Sequence, residues 1–353
     1  MHAPQTHFSE SPVANPDDHR ILQDIDRAQN LVELFLTRAE AQGDAPFLGR
    51  KLDGEWSTIS WAEAADQVCL MAEALRAIGL DEGDRVALVS ENRPEWCVAD
   101  IAIMAAGCIS VPTYITNTER DHAHILDNSG ARAVIVSTEK LLGPVVGAIG
   151  RTGIVDHVIG IEDLKRQQSP GFAYHSWNTM VEGDAATARA AIAARIAGIA
   201  RSDTACLIYT SGTGGAPRGV MQHHGAILCN VAGAAEVLLE DFGVENERFL
   251  SFLPLSHAYE HTGGLYLPIA VEAEIYYSEG LEKLASNIEE TQPTIMVVVP
   301  RLFEVLRTRI MKQIEKQGKV ANFLLGNAIK IADKSREGKT RKRDKPMDLV
   351  IEK

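Results

Sequence analysis

Apolar positions along this chain recur first with helical and then with mixed periods. Leu31, Leu34, Phe35 and Ala39 follow Asn30 and Glu33, which predicts a capped helix closed at Gly43. Phe47 to Leu52, then Asp53-Gly54, then Trp56 to Ile59 predicts a hairpin, because Asp-Gly suits a tight primed turn. Ser60 and Glu63 form a capping box ahead of Val68, Met71, Leu75 and Ile78, and Gly79 ends that helix.

From Asp84 strand and helix alternate. Val86 to Val89, Ile109 to Val111 and Ala133 to Val136 are short apolar strands. Between them lie a helix opened by Pro94 and a helix capped by Thr118 and Asp121. Connections this short predict a parallel sheet with right-handed crossovers. Ile154 to Ile161 is a candidate strand, and Ala185 to Ala200 reads as a surface helix or a linker. Further on, Leu228, Val231, Ala235 and Leu238 mark a helix, while Arg248 to Leu253 and Glu272 to Tyr277 mark strands. Thr294 to Val299 is a continuous apolar run, expected as a buried parallel strand. A helix then opens at Pro300, with Leu302, Leu306, Ile310 and Ile314 on one face.

Composition narrows the class. The chain has 353 residues, 45% hydrophobic and 24% charged, as in a soluble globular protein with about two domains. A net charge of −13 argues against nucleic acid as a partner. Five cysteines without a C-x-x-C offer neither a disulfide framework nor a zinc pattern, which fits a reducing, cytoplasmic compartment. The first twenty residues read as a disordered tail. The expected division is residues 21–200 as a first α/β sublobe and 201–353 as a second.

Chemistry concentrates in the stretch from Cys206 to Val220. An apolar run enters a loop with four glycines between 212 and 219 and hydroxyls at Thr210, Ser211 and Thr213; Arg218 follows, and then a helix-like pattern. Glycines let the backbone approach an anion closely, and a guanidinium holds a permanent charge in a fork suited to phosphate. This is not the common P-loop, because Val220 and Met221 stand where Lys and Ser/Thr must follow Gly219. A second stretch, Leu253-Pro254-Leu255-Ser256-His257-Ala258-Tyr259-Glu260-His261, places imidazoles at the end of a strand. His257 could orient a carboxylate or acyl phosphate, or pair with His261, four residues on, around a metal.

The first stretch resembles the phosphate-binding signature of the adenylate-forming superfamily, Tyr-Thr-Ser-Gly-Thr-Thr-Gly-x-Pro-Lys-Gly-Val, with Gly214 for Thr and Arg218 for Lys. Residues 83–96, residues 111–118 and the Leu-Pro-Leu-Ser-His segment resemble its long-chain acyl-CoA synthetase branch. The resemblance covers residues 30 to 350 and implies an α/β fold: Rossmann-like, mainly parallel sheets flanked by helices, plus small hairpins. It implies a cradle for the ATP β- and γ-phosphates at Thr210, Ser211, Gly212, Thr213, Gly214 and Gly215, with Arg218 as a supporting charge. Thr210 is also the candidate Mg²⁺ ligand, His224 a residue lining the nucleotide site, and His257 the residue on the acyl-adenylate side. Glu260-His261 stands where the branch continues Glu-Arg, which leaves any role for His261 open.

The implied reaction activates a fatty acid with ATP and passes the acyl group to CoA. Members of the family also carry an aromatic-Gly-x-Thr-Glu segment, a Thr-Gly-Asp segment and a small mobile domain with a catalytic lysine. Neither segment occurs in this sequence, and the expectation is a truncated chain that is inactive alone. The alternatives are an acyl-AMP ligase feeding a carrier protein and a binding remnant. Lys339 to Lys345 is a solvated basic loop, with peripheral membrane contact or CoA phosphates as the minority reading.

Overall fold

The structure is a computed structural model that describes residues 16–164, 171–210, 216–243 and 246–316. Contacts divide the chain into two compact units, Met1–Val297 and Val298–Lys353. The second contributes helix Pro300–Lys316. The basic run 339–345 lies outside the described residues.

The first unit holds two sheets. The strands are β1 (Pro46–Leu52), β2 (Glu55–Ser60), β3 (Arg85–Val89), β4 (Ile109–Pro112), β5 (Ala131–Val136), β6 (His157–Gly160), β7 (Ala173–Ser176), β8 (Thr204–Thr210), β9 (Arg218–His223), β10 (Arg248–Ser251) and β11 (Glu274–Tyr277). A seven-stranded sheet runs β7-β6-β5-β3-β4-β8-β9, and a four-stranded sheet runs β10-β11-β1-β2. In the larger sheet only β9 is antiparallel to its neighbour. The carboxyl ends of β3, β4 and β8 therefore lie along one edge, the usual place for a ligand in an open α/β sheet.

Local signals account for most helix ends. Asn30 accepts from the Glu33 N–H at 2.8 Å and caps helix Leu31–Gln42. Ser60 and Glu63 form a reciprocal capping box on helix Trp61–Ala77, as do Thr118 and Asp121 on helix Glu119–Ser129. Helix Ala185–Ile196 is capped by Asp184 and buries Ala188, Ile192 and Ile196. Its Arg189 pairs with Asp66 on helix Trp61–Ala77, so this stretch is a packed helix and not a linker. The core centres on Phe35, Phe47 and Trp61, with the last two rings stacked at 3.7 Å.

Two expectations are corrected. Residues 294–297 form no strand; Ile295 makes a single parallel bridge to Phe249 on β10, the edge of its sheet. These residues are half-buried or exposed, and the run finds no second partner to build a ladder. The phosphate stretch joins strand to strand, because Arg218–His223 pairs residue by residue with Thr204–Thr210 before any helix begins. Strand β8 extends the sheet begun by β3 and β4 across residue 200.

Candidate active site

The β8–β9 hairpin opens at that carboxyl edge. Thr210 and Arg218 are cross-strand partners at its mouth, and both are exposed. Residues Ser211, Gly212, Thr213, Gly214 and Gly215 lie outside the described residues. What grips the two ends of the loop is clear. On the β8 side the Tyr209 hydroxyl donates to Asn128 Oδ1 at 2.7 Å. On the β9 side His124 Nε2 donates to the Pro217 carbonyl at 2.8 Å. Both partners lie on helix Glu119–Ser129. Gly219 is required here, since a Cβ would stand 3.0 Å from the Tyr209 ring. Arg218 has no carboxylate partner among the described residues, leaving a free cation at the mouth.

His257 lies on the segment leaving β10. It is exposed; its backbone N–H donates to the Pro254 carbonyl at 2.9 Å, and its Nδ1 accepts from the Tyr259 N–H at 3.1 Å. An accepting Nδ1 leaves the neutral ring's proton on Nε2, so the outer nitrogen is a donor suited to an anionic oxygen. His261 is fully buried and turned to other partners, so the two histidines do not share one face for a metal.

The buried partner is Asp100. Its Oδ1 accepts from Ser110 Oγ at 2.6 Å. Its Oδ2 accepts from His261 Nε2 at 2.9 Å and from the Tyr266 hydroxyl at 2.7 Å. Burial would push the Asp100 carboxyl up, but the His261 charge and the donated bonds outweigh it and hold it below its usual range. Burial likewise disfavours the imidazolium, yet Asp100, followed by the Cys206 thiol beside the ring, lifts His261 to about 10. Asp100 has both oxygens bonded, while His261 Nδ1 is buried without a hydrogen-bond partner among the described residues.

This constellation explains a rare element. His261–Tyr266 is a π-helix. In an α-helix residues five apart point about 140° away from each other. The wider π turn brings them to nearly one side. His261 and Tyr266 can thus reach the same carboxylate oxygen. Gly264, inside this turn, leaves room for Glu260: a Cβ there would stand 2.3 Å from the Glu260 carboxylate. Glu260 is buried and accepts from Ser251 Oγ at 2.8 Å, and burial raises its carboxyl to about 8 against that bond.

His224 is placed elsewhere. It follows His223, the partner of Thr204, at the far end of the seven-residue strand β8 from the loop. That is roughly 20 Å of extended chain away from the loop. Its Nδ1 accepts from the Leu31 N–H at 3.3 Å, and burial lowers its pKa to about 4, so it packs as a neutral ring. Thr210 supplies at most one hydroxyl to a metal, and among the described residues no group of three His, Cys, Asp or Glu side chains could hold one. These donors fit Mg²⁺ only as an ion carried on phosphates.

Sequence reasoning passed over Asp100, Ser110, Tyr266 and Asn92. Only Asp100 carried a signal, a carboxylate between Val98-Ala99 and Ile101-Ala102 in an otherwise apolar helix, which must find a partner.

A family model described as AMP-binding enzyme matches residues 35–336. The long-chain-fatty-acid–CoA ligase FadD15 of Mycobacterium tuberculosis is 29% identical over 299 residues, covering 84% of this chain and 48% of the relative. The chloroplastic long-chain-fatty-acid–[acyl-carrier-protein] ligase AEE15 of Arabidopsis thaliana is 25% identical over 313 residues, covering 85% and 42%. Among solved structures, the A domain of carboxylic acid reductase from Segniliparus rugosus, in complex with AMP and a co-purified carboxylic acid, aligns with a TM-score of 0.70 at 16% identity, over 85% of this chain and 53% of that one. The chain thus spans about half the length of the curated relatives it matches. With its mixed sheets and the hairpin mouth at their carboxyl edge, the chain belongs to the AMP-binding enzyme family.

Proposed function

We propose that this chain carries the ATP- and acyl-binding part of a long-chain-fatty-acid–CoA ligase. A fatty carboxylate oxygen attacks the α-phosphorus of ATP and pyrophosphate leaves, giving acyl-AMP. The CoA sulfur then attacks the acyl carbon and AMP leaves. The first step joins two anions, so its barrier falls when donors and cations already face the phosphates. Residues 210–215 supply the main-chain and hydroxyl donors for the β- and γ-phosphates, and Arg218 adds charge beside them. Mg²⁺, when bound with ATP, neutralises charge developing on phosphate oxygens. His257 Nε2–H faces the acyl-adenylate side. We leave His224 out of the nucleotide site, because its ring is committed to Leu31.

The observation that carries this reading is the hairpin mouth: a glycine-rich stretch whose flanks at Tyr209 and Pro217 are gripped by one helix, with an exposed Arg218 that has no carboxylate partner among the described residues. The acceptor of the acyl group is CoA in this reading. A carrier protein is the second reading, favoured by the likeness to AEE15. Among the described residues no helix is long and apolar enough to cross a membrane. We place the protein in the cytoplasm, with any membrane contact peripheral.

The test is ATP–pyrophosphate exchange and thioester formation with fatty acids of graded length. Residues 1–353 should bind a non-hydrolysable ATP analogue yet make no acyl-CoA, because the Thr-Gly-Asp and aromatic-Gly-x-Thr-Glu segments do not occur in this sequence. Failure to bind nucleotide overturns the assignment, and robust thioester synthesis overturns the expectation of inactivity.

A further inference from the structure

Asn92 sits in the turn between β3 and helix Pro94–Ala105, at the same carboxyl edge as Thr210. Its side chain crosses to the other sheet. Nδ2 donates to the Leu253 carbonyl at 2.7 Å and to Ser251 Oγ at 3.0 Å. Oδ1 accepts from the Leu255 N–H at 3.1 Å. The amide thus takes the backbone groups on both sides of Pro254, which has no N–H and cannot extend the β10 ladder. A flipped amide would set oxygen against the Leu253 carbonyl and NH₂ against the Leu255 N–H, so the bonds fix its orientation.

The chain of bonds has a direction. Ser251 accepts from Asn92 and donates to Glu260 Oε1 at 2.8 Å. Leu253–Glu260 is therefore held at both ends: by Asn92 directly at residues 253 and 255, and through Ser251 at 260. His257 is an exposed side chain in the middle, as is Tyr259. β3, which carries Asn92, lies two strands from β8, which carries Thr210. One amide thereby refers the His257 segment to the frame of the sheet that presents the phosphate loop.

From this geometry we infer that Asn92 is a positioning residue, setting His257 relative to Thr210 and Arg218 at the hairpin mouth so that an acyl-adenylate can be held between them. This rests on the function proposed above. An acyl-adenylate needs both sites in register, whereas the phosphates of ATP alone need only the loop. Loss of the clamp should therefore separate the two ligands.

The experiment measures binding of two probes to the full chain by calorimetry: a non-hydrolysable ATP analogue with Mg²⁺, and a dodecanoyl sulfamoyl adenosine that mimics acyl-AMP. Asn92→Ala and Asn92→Asp should each weaken the acyl-adenylate mimic at least tenfold and leave the ATP analogue within twofold. Asn92→Asp keeps the acceptor for Leu255 but loses both donors, so it tests the Leu253 and Ser251 bonds alone. Amide exchange at Leu255 should quicken in Asn92→Ala and stay slow in Asn92→Asp. Arg132→Ala, which breaks surface ion pairs to Asp84 and Asp156, controls for general destabilisation and should leave both affinities unchanged. If wild type binds neither probe, the proposed function fails, and the positioning role falls with it. If wild type binds both while Asn92→Ala weakens both alike, or neither, the positioning role alone is overturned.

Discussion

The hairpin mouth and the π-helix are built on opposite principles. At the mouth, Thr210 and Arg218 are exposed, and Arg218 has no carboxylate partner among the described residues. Around the π-helix, a carboxylate, an imidazole and a phenol are fully buried and tied to one another. The mouth leaves the Arg218 charge exposed, as the proposed anion site requires. The π-helix region commits its charges to each other and gains a fixed shape. Fixed positions in this region come from buried polar groups bonded to one another, although His261 Nδ1 and Glu260 Oε2 have no hydrogen-bond partner among the described residues.

The sharpest break of that contrast is Asp100→Ala. It strands the His261 cation in the interior, and losing one partner of a buried pair costs about 3–5 kcal/mol. Urea denaturation should show that loss; a change below about 1 kcal/mol would mean the pair is not a structural keystone. Gly264→Ala should cost about 1–3 kcal/mol by forcing Glu260 off Ser251. The same variant should alter the amide exchange of the π turn, and no change there would detach Gly264 from the shape of that turn.

Acid–base behaviour offers a third probe. Glu260 is raised from 4.5 to about 8 in the fold. Between those values the folded state holds a proton that the unfolded state has lost. Its contribution to stability is therefore complete below pH 4.5 and disappears as pH rises to about 8, by at most ~1.4 kcal/mol per pH unit. Glu260→Gln should remove this slope, and an identical pH profile would show that Glu260 titrates normally. The smallest effect is expected at the mouth. Arg218→Ala should leave stability within about 0.5 kcal/mol, since the side chain is exposed. It should nevertheless weaken the ATP analogue by roughly tenfold, about 1.4 kcal/mol. Equal affinity would remove Arg218 from the site.

The elements with local causes were legible in advance. The capping boxes at Ser60 and Thr118, the cap at Asn30, the Asp53-Gly54 hairpin and the parallel β3, β4 and β5 follow from residues close together in the chain. The stretch proposed as a phosphate cradle also stood out, because its glycines and hydroxyls lie at short spacing. Its setting did not. Residues 218–223 form a strand because Thr204–Thr210 lies free to pair with them. Residues 294–297 do not, because the β10 edge offers one bridge alone. Strand pairing is a property of partners distant in sequence, and an apolar run does not name its partner.

The same distinction divides the site. Local chemistry marked the phosphate stretch and His257, since backbone freedom, hydroxyls and imidazole are properties of the residues themselves. That Asp100 receives His261 and Tyr266, that Asn92 spans Pro254, and that His224 turns to Leu31 became definite only when segments more than a hundred residues apart met. The cost of leaving a charge or an amide unpaired in the interior selects those meetings, and that cost exists only once the interior has formed.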